Sequence, residues 1–388
     1  MKTKIISAIC LIMIAAAVCN TVNFNGFAAM AAQSAAGSDS AAFSSARSMV
    51  VIETTGNQII YGKNYDEKLA EASTTKIATA ITAIEHCKNL DEIVTIPKAA
   101  TLVTGTSIYL REGERLSVRD LLYGLMLQSG NDAATALALY AGGSVEGFAA
   151  LMNETAKKCG AVNTNFVNPH GLDAGGHYTT AYDLALITSY ALKNRDFKEI
   201  VSTKKHNINA TENNTARYLA NKNRLLNSLE GCIGVKTGFT SKAGRCLVTA
   251  CERDGLTLVC VVLNCGPMFE ESVDLINGAF NEYELFTVLP SYNFVGEINV
   301  ENGDKEHTKI YNKDGFKIVL KKEQANNIRV KFNYPEVLEA PLFKDQIIGT
   351  AQVFNGEELI FTANLYVMES VDSLGVKDKI KNIIDKWF

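Results

Sequence analysis

Apolar and polar residues alternate from Met49 to Asn64 around Thr55-Gly56-Asn57, which predicts strands at 50–53 and 58–62 joined by a tight turn. A second hairpin is predicted far away, at 245–252 and 256–264, around Asp254-Gly255. Between them the period becomes helical. Ile77, Ala80, Ile81 and Ile84 form one stripe. Ser117-Val118-Arg119-Asp120 resembles a capping box with Asp in place of Glu, and Leu121, Leu122, Leu125 and Met126 follow it at helical spacing. Another helix is expected from Asp132 through Tyr140.

Strands at both ends of this region and helices in its middle predict an α+β domain over 46–288, with one antiparallel sheet and a helical cluster packed on it. Catalytic groups would then meet at a sheet edge and at helix ends. Beyond residue 289 the texture changes to short β-like runs at 317–321, 328–332, 347–354 and 358–364, broken by Asn-Gly, Asp-Gly and Pro. This reads as a small all-β domain over 289–370. Residues 371–388 place Val376, Ile380, Ile383, Ile384 and Trp387 on one side of an amphipathic helix. Periodicity does not name what covers that stripe: a membrane surface and the β domain both fit.

The N-terminus carries Lys2 and Lys4, an apolar run from Ile5 to Val18, and Ala29-Met30-Ala31. The run is shorter than the ~20 residues of a spanning helix, so 1–31 reads as an export signal and 32–45, rich in Ala, Ser and Gly, as a flexible spacer. An exported, extracytoplasmic protein is expected. With 388 residues, 47% of them apolar, and a net charge of −4, the chain can bury a large core, and no basic run points to nucleic acid. Of nine cysteines, Cys10 and Cys19 lie in the signal. The odd remainder and the lack of any Cys-x-x-Cys support neither a disulfide framework nor structural zinc, and Cys251 and Cys260 would lie diagonally on their hairpin, a poor pairing geometry.

Three strings then bring in chemistry, in the order Ser73-Thr74-Thr75-Lys76, Ser129-Gly130-Asn131 and Lys236-Thr237-Gly238. Each alone is weak, and the chain holds decoys in Ser202-Thr203-Lys204-Lys205 and Ser291-Tyr292-Asn293, neither in the right order or setting. A Ser and a Lys three apart share one side of a helix, so the Lys76 amine can take the Ser73 proton if the helix begins near Ser73. That requires a neutral amine, hence burial and a second cation nearby, for which Lys236 is the candidate. Ser129 can relay a proton and Asn131 hold a substrate amide, although Ser-Gly-Asn before a helix is also ordinary capping chemistry. Lys236-Thr237-Gly238 should lie on an edge strand where Gly238 leaves room for a peptide, with Lys236 and Thr237 receiving a carboxylate and the N–H groups of Ser73 and Phe239 forming an oxyanion hole. His170 and His177 flank a Gly-rich turn and read as local loop hydrogen bonding rather than as metal ligands.

Motif order and spacing resemble the penicillin-binding proteins and class A β-lactamases. The surrounding text, with Asn168-Pro169-His170-Gly171-Leu172-Asp173, the run from His177 to Asp183, Asn223-Arg224-Leu225-Leu226 and Gly234 to Thr240, looks like the low-molecular-mass D-alanyl-D-alanine carboxypeptidases. The resemblance implies a β-lactamase/transpeptidase-like fold, Ser73 as nucleophile, Lys76 as base and Ser129 in proton transfer. It implies substrate binding by Asn131, Lys236, Thr237, Gly238 and Phe239, with no cofactor and no metal. Implied partners are a peptidoglycan stem peptide ending in D-Ala-D-Ala, β-lactams as covalent inhibitors, and a membrane surface met by the C-terminal helix. One departure is the lack of any Arg between Arg253 and Arg329, where some members meet the terminal carboxylate, which leaves Arg245 or the pair Lys236 and Thr237 for that task. The rival functions are a β-lactamase, a D,D-endopeptidase and a non-catalytic wall-binding scaffold. No Glu-x-x-Leu-Asn follows Ser129 as class A enzymes require, and a scaffold needs no buried amine beside a hydroxyl.

Overall fold

The computed structural model of the chain describes residues 44–375 and Ile384. The signal at 1–31 and nearly all of the spacer lie outside the described residues. Of the amphipathic helix expected over 371–388, residues 371–375 are extended instead, because Val371 bridges to Leu342 and Ser373 to Gly303, and the rest, apart from Ile384, lies outside the described residues.

The two predicted hairpins pair into one sheet. Strands β1 (Ser48–Glu53) and β2 (Ile59–Lys63) join β3 (Cys232–Thr240), β4 (Gly244–Arg253) and β5 (Leu256–Leu263) in the antiparallel order β2-β1-β5-β4-β3. The continuous apolar run of β5 puts it in the interior, because both of its faces are covered. Val259, Val261 and Leu263 enter the core on the helical side, and Leu258, Cys260 and Val262 enter a second core on the opposite side. Alternation in β1 divides in the same way, with Val50 and Ile52 on one face and Met49 and Val51 on the other.

The helical side holds α1 (Lys76–His86), α2 (Val118–Leu127), α3 (Asn131–Gly142), α4 (Val145–Lys158), α5 (Ala181–Leu192) and α6 (Arg195–Ser202), while α7 (Met268–Glu282) covers the opposite face. Ser117 Oγ accepts the Asp120 amide at 3.0 Å, as the capping box predicts, but Asp120 returns the contact to the Ser117 hydroxyl at 2.8 Å and not to its N–H. The shorter Asp side chain cannot reach back to the backbone as Glu does. The helix begins near Ser73, as expected: Ser73 lies in a 3-10 turn, Ala72–Thr75, that runs directly into α1 at Lys76.

The all-β region starts earlier than residue 289. Strand β6 (Tyr283–Leu289) follows α7 directly and pairs with β9 (Phe316–Lys321). A six-stranded sheet holds β7 (Asn293–Glu301), β8 (His307–Asn312), β10 (Ile328–Asn333), β11 (Val337–Glu339), β12 (Ile347–Asn355) and β13 (Glu358–Val367), in the order β10-β12-β13-β8-β7-β11. Val319 of β9 reaches the core under α7, so the two regions share apolar contacts.

Candidate active site

Ser73, Lys76 and Asn131 come together where the 3-10 turn, α1 and the start of α3 meet. Lys76 is fully buried, and its Nζ lies 3.0 Å from Ser73 Oγ, 2.8 Å from Asn131 Oδ1 and 2.6 Å from the His170 carbonyl. All three partners are oxygens. Lys76 Nζ donates to Asn131 Oδ1 and His170 O, and once the amine is neutral the contact with Ser73 Oγ is the one left for its lone pair. Asn131 is held in the required orientation because its amide N–H donates to Thr104 O at 2.7 Å. Burial drives the Lys76 pKa well below the ordinary lysine value, and the charges of Lys236 and then Lys222 add to the effect.

Lys236 is also buried, and burial together with Lys222 brings its pKa down to about 7. It sits on β3, the edge of the main sheet, as the sequence predicts. Gly238 has a packing role in addition to the expected one. A β-carbon there would lie 3.0 Å from Glu71 O and 3.1 Å from the amide nitrogens of Ser73 and Thr74. The missing side chain therefore lets the strand backbone reach the 3-10 turn that carries Ser73. The side chain of the next residue, Phe239, is exposed.

Ser129 joins α2 to α3 with φ of 64°, left-handed backbone for a non-glycine residue. The turn is held by Gly130 N–H on Gly124 O at 3.1 Å and Asn131 N–H on Thr106 O at 2.7 Å. Among the described residues neither Ser129 nor Thr237 hydrogen-bonds Ser73 or Lys76; Ser129 is tied to the pair through its chain neighbour Asn131, and Thr237 through the packing of β3 on the 3-10 turn.

Two features were not found from sequence. Lys222, whose N–H donates to Leu127 O beside the Ser129 turn, lowers the pKa of both site lysines and is itself lowered by burial. Its signal, a lone Lys in a polar stretch, has no period or motif. The second feature is a buried brace behind Ser73. His177 Nδ1 accepts the Val167 amide at 3.1 Å, so Nε2 carries the proton and donates to Glu71 Oε1 at 2.8 Å, which also accepts from Thr75 Oγ1 at 2.8 Å. The same loop supplies His170 O to Lys76 and Pro169 O to Thr79 Oγ1, and Asp173 accepts from Thr240 at the end of β3. His170 and His177 are thus loop-ordering groups, as read from sequence, and burial lowers the His170 pKa to about 4. Glu71→Ala should cost about 2–3 kcal/mol of unfolding free energy, read from urea transitions, because two buried donors lose their acceptor.

Residues 33–266 match the family model described as D-alanyl-D-alanine carboxypeptidase. The chain belongs to that family. Residues 283–373 match the model described as penicillin-binding protein 5, C-terminal domain. The chain is 30% identical to D-alanyl-D-alanine carboxypeptidase DacF of Bacillus subtilis (strain 168), over 88% of this chain and 90% of the relative. It is 33% identical to DacC of Escherichia coli (strain K12), over 88% of this chain and 89% of the relative. Among solved structures, penicillin binding protein 5 from Haemophilus influenzae superposes with a TM-score of 0.67 at 30% identity, covering 85% of this chain and 98% of that one. The Streptomyces K15 DD-transpeptidase gives 0.59 at 34% identity, over 61% of this chain and 98% of that one. The family member described here is a serine-type D-Ala-D-Ala carboxypeptidase with a β-lactamase/transpeptidase-like domain followed by an all-β domain.

Proposed function

We propose that Ser73 attacks the carbonyl of the penultimate D-Ala of a peptidoglycan stem peptide, with Lys76 as its base. The observation that carries this reading is the 3.0 Å contact between the Ser73 hydroxyl and a fully buried amine whose two other contacts are acceptors. Proton transfer to Lys76 Nζ frees the serine oxygen to form the tetrahedral intermediate, and the N–H groups of Ser73 and Phe239 receive the developing oxyanion. Collapse of that intermediate expels D-Ala, whose amine takes a proton through Ser129, and leaves an ester on Ser73. Water then attacks the ester and releases the shortened stem.

Asn131 orients the substrate amide, and Lys236 and Thr237 receive the terminal carboxylate. Lys222 is the cation that completes this pocket in place of the missing Arg, because its charge reaches both site lysines. Arg245 is the weaker candidate, since it lies on β4 opposite Phe239 and is exposed. Action on stem peptides calls for an enzyme outside the cytoplasm, in keeping with the export signal read at 1–31, and the amphipathic stripe from Val376 to Trp387 is the part of 371–388 that would meet the membrane surface, since Val371 and Ser373 pair with the β domain.

The test is incubation with a D-Ala-D-Ala-terminated muropeptide. Released D-Ala with loss of one residue from the stem supports the carboxypeptidase reading, and cleavage of cross-linked dimers alone would replace it with an endopeptidase. Nitrocefin separates the β-lactamase alternative. About one equivalent should react in a burst and turnover should then be slow, because the loop downstream of Ser129 holds its one carboxylate, Asp173, on the Thr240 hydroxyl and not toward an attacking water. Sustained rapid hydrolysis would overturn this assignment.

A further inference from the structure

Strand register brings together two thiols that sequence spacing did not pair. Cys251 of β4 is not directly opposite Cys260, because Leu258 faces Cys251 and Thr249 faces Cys260. Directly opposite Cys251, on β3, is Cys232. The register shifts between Cys232 and Gly234, yet the two thiols are hydrogen-bonded to each other, which keeps them in reach. Regularly facing residues have α-carbons about 4.5–5.5 Å apart, inside the range of about 4.4–6.8 Å that a disulfide spans. The two side chains also share a face of the sheet, since Cys232 packs against the same apolar cluster that contains Cys251.

We propose that Cys232 and Cys251 form a redox-modifiable dithiol, closed to a cross-strand disulfide by an external disulfide oxidant. This goes beyond the peptidase reading and does not depend on it.

Reactivity within the pair is divided. Cys232 is partly exposed and Cys251 is buried, so an oxidant meets Cys232 first. Hydrogen bonding between the two thiols lowers the Cys232 pKa and raises that of Cys251, which makes the partly exposed Cys232 the more readily ionised thiol and the buried Cys251 the resolving one. Burial raises the other five thiols of the described region, with Cys87 at about 11 and Cys159, Cys246 and Cys260 at about 12. The step balances with glutathione disulfide as oxidant. The Cys232 thiolate attacks one glutathione sulfur and expels glutathione thiolate. Cys251 then loses its proton and attacks Cys232 Sγ, expelling the second glutathione. Two protein thiols are oxidised and one disulfide is reduced to two thiols. Because Cys232 opens the strand that carries Lys236, the bond would tie the start of that edge strand to an interior neighbour.

The reduced full-length protein is incubated under native conditions with glutathione disulfide, alkylated, and measured by intact mass and non-reducing tryptic mapping. The expected result is loss of two hydrogens and a link between peptides 225–236 and 246–253, with fragmentation placing the bond at Cys251 rather than Cys246 in the same peptide. The unfolding midpoint should rise by roughly 5 °C on oxidation. Cys232→Ser should abolish the mass loss, and Cys260→Ser should leave it intact. A stable glutathione adduct on Cys232, a link to any other cysteine, or no change in mass would each overturn the proposal, and the wild-type readout decides even where a variant fails to fold.

Discussion

Ser73→Ala should leave no covalent penicillin adduct detectable by intact mass and should lower D-Ala release by at least ~10⁴-fold. The size of the effect follows from the route, since without the hydroxyl no acyl-enzyme forms and water must attack the peptide directly. The substitution should leave the fold intact. Among the described residues the Ser73 hydroxyl bonds only to Lys76 Nζ, while the turn around it is held by Glu71 O, which accepts from the Thr74 amide at 3.3 Å and the Thr74 hydroxyl at 2.6 Å. An unchanged unfolding transition with lost labelling isolates chemistry from stability. Persistent labelling of the Ala variant would move the nucleophile elsewhere, with Ser129 the first residue to examine.

Lys76→Met should reduce the second-order rate of acylation by ~10³-fold or more, with Ser73 still present. Methionine fills much of the lysine stem volume but offers no lone pair, so the serine proton has no acceptor at 3.0 Å. The wild-type pH profile carries the same claim. Below the depressed Lys76 pKa the amine is an ammonium and cannot accept a proton, so acylation falls as pH drops through that value and rises above it. Lys236 acts in the opposite sense on the proposed reading, in which its positive charge receives the carboxylate, because that charge is lost in the free enzyme as pH rises through about 7. The acylation rate, measured against pH with a β-lactam, should therefore be bell-shaped with its alkaline limb near neutrality. In Lys76→Met the acid limb should disappear.

Stability moves with pH by a related rule. Between the Lys236 pKa of about 7 and the ordinary lysine value, the unfolded chain binds the proton that the folded chain has released, so the contribution of this group to stability rises with pH over that window and is lost as pH falls through about 7.

Much of the site was legible because its chemistry is written in short strings. Ser73 and Lys76 are three apart, and one turn of backbone suffices to bring their side chains together. The need for a neutral Lys76 could be argued from pKa values alone, and the burial that satisfies it was foreshadowed by the stripe of Ile77, Ala80, Ile81 and Ile84. The sheet was legible for a similar reason: β1, β2, β4 and β5 carry strong alternation or a continuous apolar run between clear turns. In the β region, 317–321, 328–332, 347–354 and 358–364 emerged as strands because Asn-Gly, Asp-Gly and Pro separate them, whereas Tyr283–Leu289 runs straight out of α7 with no turn residue to mark the change.

The sequence by itself determined the pairing of Ser73 with Lys76, the strand bearing Lys236, and the division into a helical-plus-sheet domain and a β domain, since each depends on local spacing or periodicity. Only the tertiary structure decided that His170 O and Asn131 Oδ1 complete the amine's coordination, that Glu71 and His177 brace the turn, that Gly238 serves close packing against Ser73, and that Cys232 faces Cys251. Those contacts join residues dozens of positions apart, or depend on which strand lies beside which. Their partners are chosen by strand register and loop closure, which no local pattern encodes.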